Sequence, residues 1–457
     1  MPDYDVVIIG GGAAGENLAG RTAPGGLSTV IVEAGLVGGE CSYWACMPSK
    51  ALLRPGEVMS AARANPAAAG GITGPVDAGR ALRSRNAFAN QWNDHHQAKW
   101  VESVGAHLVR GRARIVAPKR VVVELAEGGT QEIEARKAVV VATGSHTAVP
   151  PIDGIEDVEP LKSRDITSLQ RVPDSLVIVG AGAVGLEMAQ AWRSLGTREV
   201  TVVGRETSRI EPFAMRIVRE AFEEKGIRMI VGHEVVSVAK APAGVVVTLD
   251  DGRKEDAEHI VLATGRHANT SGLGLESVGL DEGEFIEVDD SLRARGVAGG
   301  WLYAVGDCNG RALFTHQGKY QARQAGDHIL GKGTSAWAEG KGAGGVIFTD
   351  PQIAMVGLTE RTARERGINV RALELGLDVA AKSLRGEGVR GGVKWVVDED
   401  RGVLIGATFV GPEIGELLHS ATIAIVGEVP LTTLWHATPS FPTMSELWLR
   451  FLEAYGM

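Results

Sequence analysis

Three cysteines in 457 residues are too few to staple a chain of this size, which excludes a disulfide framework and points to a reducing cytosol. Long apolar runs are missing too: none approaches the roughly 20 residues that a membrane span needs. The opening MPDYDVVIIG enters a strand pattern at once, so the reading is a cytoplasmic chain without signal peptide or anchor. A basic excess is absent as well. The net charge of -9 and pI of about 5.7 disfavour nucleic acid and an anionic membrane surface as partners. What the chain has in abundance is glycine, with 61 residues, about twice the usual share of roughly 7%. Many of these glycines follow apolar runs, as tight strand-to-helix turns require. The length predicts about three domains rather than one core.

Two segments nearly repeat each other. YDVVIIGGGAAGENLAG (4–20) and SLVIVGAGAVGLEMAQ (175–190) each run from an apolar strand through G-x-G-x-x-G into a helical pattern. A second strand follows each, STVIVEAG (28–35) and REVTVVGR (198–205), and each unit later reaches an apolar run ending in Ala-Thr-Gly, at 138–145 and 260–266. The fold class is therefore α/β, with two nested doubly wound dinucleotide-binding domains. A helical section spans roughly 49–105, and VPPIDGIE (149–156) reads as a linker into the second unit. After a Gly-rich stretch at 331–345, KWVVDEDRGVLIGATFVG (394–411) predicts a hairpin, and 413–428 and 445–454 predict helices.

In the first unit Gly10, Gly12 and Gly15 follow a strand and open a helix, and Glu33 ends the next strand. Such glycines let a pyrophosphate approach free N–H groups at a helix N-terminus, and the carboxylate accepts from both ribose hydroxyls. The second unit repeats the glycines at Gly180, Gly182 and Gly185, but Gly204 stands where Glu33 stood, with Arg205 and Arg209 close behind. Losing the carboxylate and gaining guanidinium groups favours a 2′-phosphate, hence NADPH over NADH. Solvated surface charge is the other reading of those arginines.

GGECSYWACMPSK (38–50) sets Cys41 and Cys46 close together, just ahead of a helical pattern. Metal binding lacks further Cys or His at zinc spacing. Structural burial stays open, and redox activity fits best because a helix N-terminus lowers a thiolate pKa.

With these cysteines the chain resembles the pyridine nucleotide-disulfide oxidoreductases, the group that includes glutathione reductase, dihydrolipoamide dehydrogenase and mercuric reductase. The likeness covers essentially the whole length, through LYAVGDCNG (302–310), FTDPQIAMVGLTE (348–360) and PTMSE (442–446). It implies an FAD-binding domain at 1–151, an NAD(P)H-binding domain at 152–270, a central domain at 271–342 and an α+β interface domain at 343–457 that forms a homodimer. By resemblance Thr143, Gly144, Gly265 and Asp307 join the cofactor-binding residues, with Asp307 on the FAD ribityl chain. Lys50, paired with Glu187, would sit by flavin N5; Cys46 would be the charge-transfer thiol and Cys41 the interchange thiol. Cys308 reads as a small buried residue.

The family tail carries a catalytic His, five residues before a Glu. Here Glu446 is kept and Phe441 stands at the His position, and a phenyl ring moves no proton. His436, five residues earlier, either swings in or is a polar core residue; His316, near the start of a helix aimed at the flavin, either serves it or has a backbone role. The expected function is an NADPH-dependent FAD reductase that passes electrons through Cys41–Cys46 to a disulfide or related acceptor. Reduction of quinones or metal ions is the alternative within enzymes. A non-catalytic FAD-binding subunit is the alternative outside them.

Overall fold

The computed structural model describes residues 2–205 and 209–457, which divide into two compact units. The first comprises Met1–Pro48, Arg85–Ala148 and Gly265–Glu339; the second comprises Ser49–Ser84, Val149–Thr264 and Gly340–Met457.

In the first unit the apolar runs form a parallel sheet buried on both faces, the environment in which a strand has no need to alternate. Asp3–Ile9 lies between Thr29–Glu33 and Thr130–Val141, with His107–Ala117 and Leu302–Ala304 outside them. Arg120–Leu125 closes an antiparallel extension between the far parts of His107–Ala117 and Thr130–Val141. Val6, Val7, Ile8, Val30, Ile31 and Val140 are wholly buried in its core. Helix Ala13–Thr22 runs alongside helix Thr315–Ile329 in the same direction. A Cβ on Gly318 would lie 3.6 Å from that of Ala14, and one on Gly326 would lie 2.9 Å from Arg21 Cγ. The Arg21 guanidinium clamps Asp327 with two 2.7 Å hydrogen bonds at the far end of this pair. Both helix N-termini consequently open on the same side of the unit.

The second unit contains the second parallel sheet, ordered His259–Leu262, Ser175–Val179, Glu199–Gly204 and Ile227–Val231. A three-stranded antiparallel sheet follows it in Val235–Ala241, Gly244–Leu249 and Lys254–Ala257. The C-terminal segment is a five-stranded antiparallel sheet with helices Leu418–Val426 and Glu446–Tyr455. The expected hairpin is Gly392–Asp398 against Val403–Gly411. Trp395 anchors this core, with ring centroids 5.0 Å from Phe409 and 4.6 Å from Phe451. Two doubly wound sheets are thus present, as the repeats imply, and an α+β C-terminal segment, as the resemblance implies. Among the described residues no helix is long and apolar enough to cross a membrane.

Candidate active site

The first glycine turn is built by contacts that leave no room for side chains. A Cβ on Gly10, whose φ is +107°, would lie 2.5 Å from the Ala142 carbonyl oxygen. One on Gly15 would lie 2.0 Å from the Gly10 carbonyl oxygen, so helix Ala13–Thr22 sits directly on the strand end. Gly12 faces open space apart from Gly39 Cα at 3.9 Å. The Glu33 carboxylate accepts from Gly11 N–H at 2.5 Å and Gly35 N–H at 2.6 Å. Asp94 holds the following loop by accepting from Val37 N–H at 2.7 Å, and it pairs with Arg110 at the same distance.

Across this sheet end Asp307 accepts from Ser145 Oγ at 2.6 Å. Arg266 donates to both Oγ and the carbonyl of Ser145, at 2.5 and 2.6 Å, and lies 3.7 Å from Asp307. Gly144 and Thr143 present their carbonyls to Asn269, and the Gly265 carbonyl accepts from Ala148 N–H at 2.9 Å. The buried Thr143 hydroxyl has no hydrogen-bond partner among the described residues. A glycine cradle, a strand-end carboxylate and an unsatisfied buried hydroxyl fit the FAD that the resemblance implies. Arg266 and Ser145 are additions that the sequence reading missed.

Glu16, also missed, sits in the first turn of the glycine-turn helix. Burial pushes its carboxyl up to about 7, opposed by Lys319 and assisted by the Glu33 carboxylate. A raised folded-state pKa contributes stability that is complete below the ordinary 4.5 and is lost as pH rises through 7. Glu16→Gln is therefore expected to add roughly 1–3 kcal/mol of stability at pH 8 and little at pH 4. Thermal melts at the two pH values check this, and an equal gain at both would exclude the burial cost as its cause.

Cys46 is the first residue of the 19-residue helix Cys46–Ala64, where free N–H groups favour a thiolate. Its Sγ lies 3.2 Å from the Thr315 hydroxyl at the start of helix Thr315–Ile329. Cys41 stands in the separate short helix Gly39–Tyr43. Hydrogen bonding with Cys46 is the largest influence on it and pushes its thiol above the ordinary range; burial adds to this, while Thr315 and Lys319 oppose it. The helix-dipole expectation thus applies to Cys46 and not to Cys41, because Cys41 lies outside the helix that supplies the dipole. His316 is exposed and its ring stacks on Phe314 at 5.4 Å, while its neighbour Thr315 is the helix-start residue whose hydroxyl meets the Cys46 thiol. Cys308 is wholly buried, directs its thiol to the carbonyls of Val141 and Val305 at 3.3 Å, and is pushed up to about 12 by burial.

In the second unit Lys50 Nζ donates to Glu187 Oε2 at 2.7 Å and stands 4.6 Å from the centroid of the Phe348 ring. The other oxygen of the buried Glu187 accepts from Phe348 N–H at 3.0 Å, so one carboxylate fixes both the lysine and the FTDP loop. The second glycine turn repeats the first. A Cβ on Gly180 would lie 2.2 Å from the Ala263 carbonyl oxygen and one on Gly185 1.9 Å from that of Gly180, while Gly182 faces open space. Arg205 and Arg209 are exposed beyond this strand, and Arg205 is ion-paired with Glu234.

In the tail Phe441 is 74% exposed, and His436 is exposed after helix Leu431–Leu434. Glu446 is buried at the start of helix Glu446–Tyr455, with Arg450 3.6 Å from Oε1. Its Oε2 has no hydrogen-bond partner among the described residues.

The family model for pyridine nucleotide-disulphide oxidoreductases matches residues 4–328, and that for the dimerisation domain of the same family matches 344–450. A mercuric reductase of Streptomyces lividans is 32% identical over 451 residues, covering 97% of this chain and 94% of its own. A dihydrolipoyl dehydrogenase of Mycobacterium bovis is 32% identical over 457 residues, covering 98% and 97%. The crystal structure of LpdA from Mycobacterium tuberculosis has a TM-score of 0.86 at 28% identity, with both chains fully covered. The chain belongs to the pyridine nucleotide-disulphide oxidoreductases, FAD-dependent enzymes that use NAD(P)H.

Proposed function

We propose that this enzyme, as a homodimer, passes electrons from NADPH through FAD and the Cys41–Cys46 pair to a disulfide or related acceptor. The observation that carries the reading is the placement of Cys46 at a helix start, on the Thr315 hydroxyl and within hydrogen-bonding reach of Cys41. A scaffold has no use for such a pair, nor for the Lys50–Glu187 couple.

Bound FAD supplies the two-electron exchange between a nicotinamide and a dithiol. Glu33, the turn glycines, Thr143, Gly144 and Asp307 would hold it, with Arg266 fixing Asp307 through Ser145. Lys50, ion-paired with Glu187, would supply positive charge beside a reduced cofactor. Cys46 takes the thiolate role because a helix N-terminus and a hydroxyl donor stabilise its anion. Cys41 keeps its proton until a base or solvent removes it, and then attacks the acceptor. Gly180, Gly182 and Gly185 would cradle the NADPH pyrophosphate, with Arg205 and Arg209 at the 2′-phosphate.

Phe441 supports a second reading, in which the acceptor is a quinone or metal ion that needs little proton management. The mercuric reductase relatives suit it, but the chain has no second cysteine pair near its C-terminus to pass a metal inward. Anaerobic titration with NADPH tests these readings. The disulfide relay is expected to give a long-wavelength thiolate-to-flavin absorption; full bleaching without it favours the second reading. No reduction at all would remove both.

A further inference from the structure

The two glycine turns differ at a pair of positions that touch each other. In the first unit Gly11 N–H reaches the Glu33 carboxylate, and a Cβ on Gly11 would lie 3.2 Å from that oxygen. In the second unit Ala181 replaces Gly11 and Gly204 replaces Glu33. A Cβ on Gly204 would lie 2.8 Å from Ala181 N and 3.2 Å from Ala181 Cβ. A side chain at this strand end would therefore crowd the backbone N of Ala181 first and its methyl second, which leaves little room for a carboxylate. Discrimination between ribose and phosphorylated ribose therefore passes to the residues just beyond it.

Those residues come from two adjacent parallel strands. Gly204 pairs with Val231, and Gly232 N–H donates to the Gly204 carbonyl at 3.0 Å, which brings Glu234 beside Arg205. The Glu234 loop is fastened from outside: Asp250 N–H donates to the Glu234 carbonyl at 2.9 Å, and the His233 ring is 2.8 Å from the Asp250 carboxylate. We propose that Glu234 is a specificity-determining residue that competes with the coenzyme 2′-phosphate for Arg205. The proposal rests on the NADPH reading and deepens it. A 2′-phosphate must compete with Glu234 for the guanidinium, whereas a 2′-hydroxyl meets a carboxylate able to accept its hydrogen bond. The two side chains are 75% and 43% exposed, and exposed ion pairs are weak, so the competition is worth about two- to fivefold in relative affinity.

Isothermal titration of the FAD-loaded protein with adenosine 2′,5′-bisphosphate and with 5′-AMP tests this without turnover. Glu234→Gln is expected to shift the affinity ratio toward the bisphosphate by about two- to fivefold, and high salt should erase most of that gain. An unchanged ratio overturns the proposal. Arg205→Ala separates the two readings. If it weakens the bisphosphate while Glu234→Gln shifts nothing, the competition fails and the NADPH reading stands. If it leaves the bisphosphate untouched, the NADPH reading fails and takes the competition with it. The steric half is tested by the double variant Ala181→Gly/Gly204→Glu, expected to favour AMP, against Gly204→Glu alone, expected to weaken both ligands. A single variant that favours AMP as strongly as the double would overturn the coupling.

Discussion

On the proposed disulfide relay, Cys41→Ser and Cys46→Ser are each expected to lose disulfide turnover by about a thousandfold or more, the scale on which removing a nucleophile acts. Their spectra differ. Cys41→Ser keeps a long-wavelength absorption without added reductant, because the Cys46 thiolate no longer has a disulfide partner and remains at the helix start beside Thr315. Cys46→Ser loses it. Removing the Cys46 thiol also removes the largest influence holding the Cys41 thiol up, so Cys41 in that variant should react with iodoacetamide at lower pH than in the reduced wild type. Turnover with quinones survives in both variants if such acceptors draw electrons directly from the cofactor. Absorption that persists in Cys46→Ser and vanishes in Cys41→Ser would reverse the two roles.

Much of this arrangement was legible in the chain because its signals are local. A strand run, a glycine turn and a helix pattern lie within about 20 residues of each other, and the tight contacts at Gly10, Gly15, Gly180 and Gly185 explain why those positions carry no side chain. Glu33 was likewise marked by its place at the end of the strand after the glycine turn, and the expectation for Lys50 came from the family resemblance.

What the sequence hid are partners brought together by topology. Thr315 lies 269 residues from Cys46, and nothing in its neighbours announces a thiol contact. Only the parallel packing of helices Ala13–Thr22 and Thr315–Ile329 brings that helix start to the thiol's side of the unit. Arg266 follows the Ala-Thr-Gly string, yet its partner Ser145 is 121 residues away, across an antiparallel pairing of two three-residue strands. Glu234 shows the same limit. Gly204 read alone suggests a carboxylate lost to admit a phosphate, whereas the structure shows a position crowded by Ala181 and an acid, Glu234, brought beside Arg205 by the loop after the neighbouring strand.

The missing acid/base at Phe441 has the second large expected effect. With Phe441 at the family histidine position, Cys41 has no imidazole there to take its proton, and its thiol is already pushed above the ordinary range by Cys46 and by burial. A free thiol ionises near about 8.5, so wild-type disulfide turnover should rise with pH through that value and beyond it, with no plateau near neutrality. Phe441→His adds a base whose ordinary pKa is about 6.5, which should move the rise toward neutral pH. The buried Glu446, whose Oε2 has no hydrogen-bond partner among the described residues, offers the imidazole an acceptor to fix its tautomer. General acid–base catalysis is worth about 100-fold or more, so the gain on small disulfides at pH 7 should approach that figure, and adding Glu446→Gln should remove much of it. His436→Ala separates the alternative: a large loss in kcat with unchanged reduction by NADPH would make His436 the base. If Phe441→His and His436→Ala both leave disulfide turnover and its pH profile unchanged, proton transfer at Cys41 does not limit the reaction, and a quinone or metal-ion acceptor becomes the better account of this enzyme.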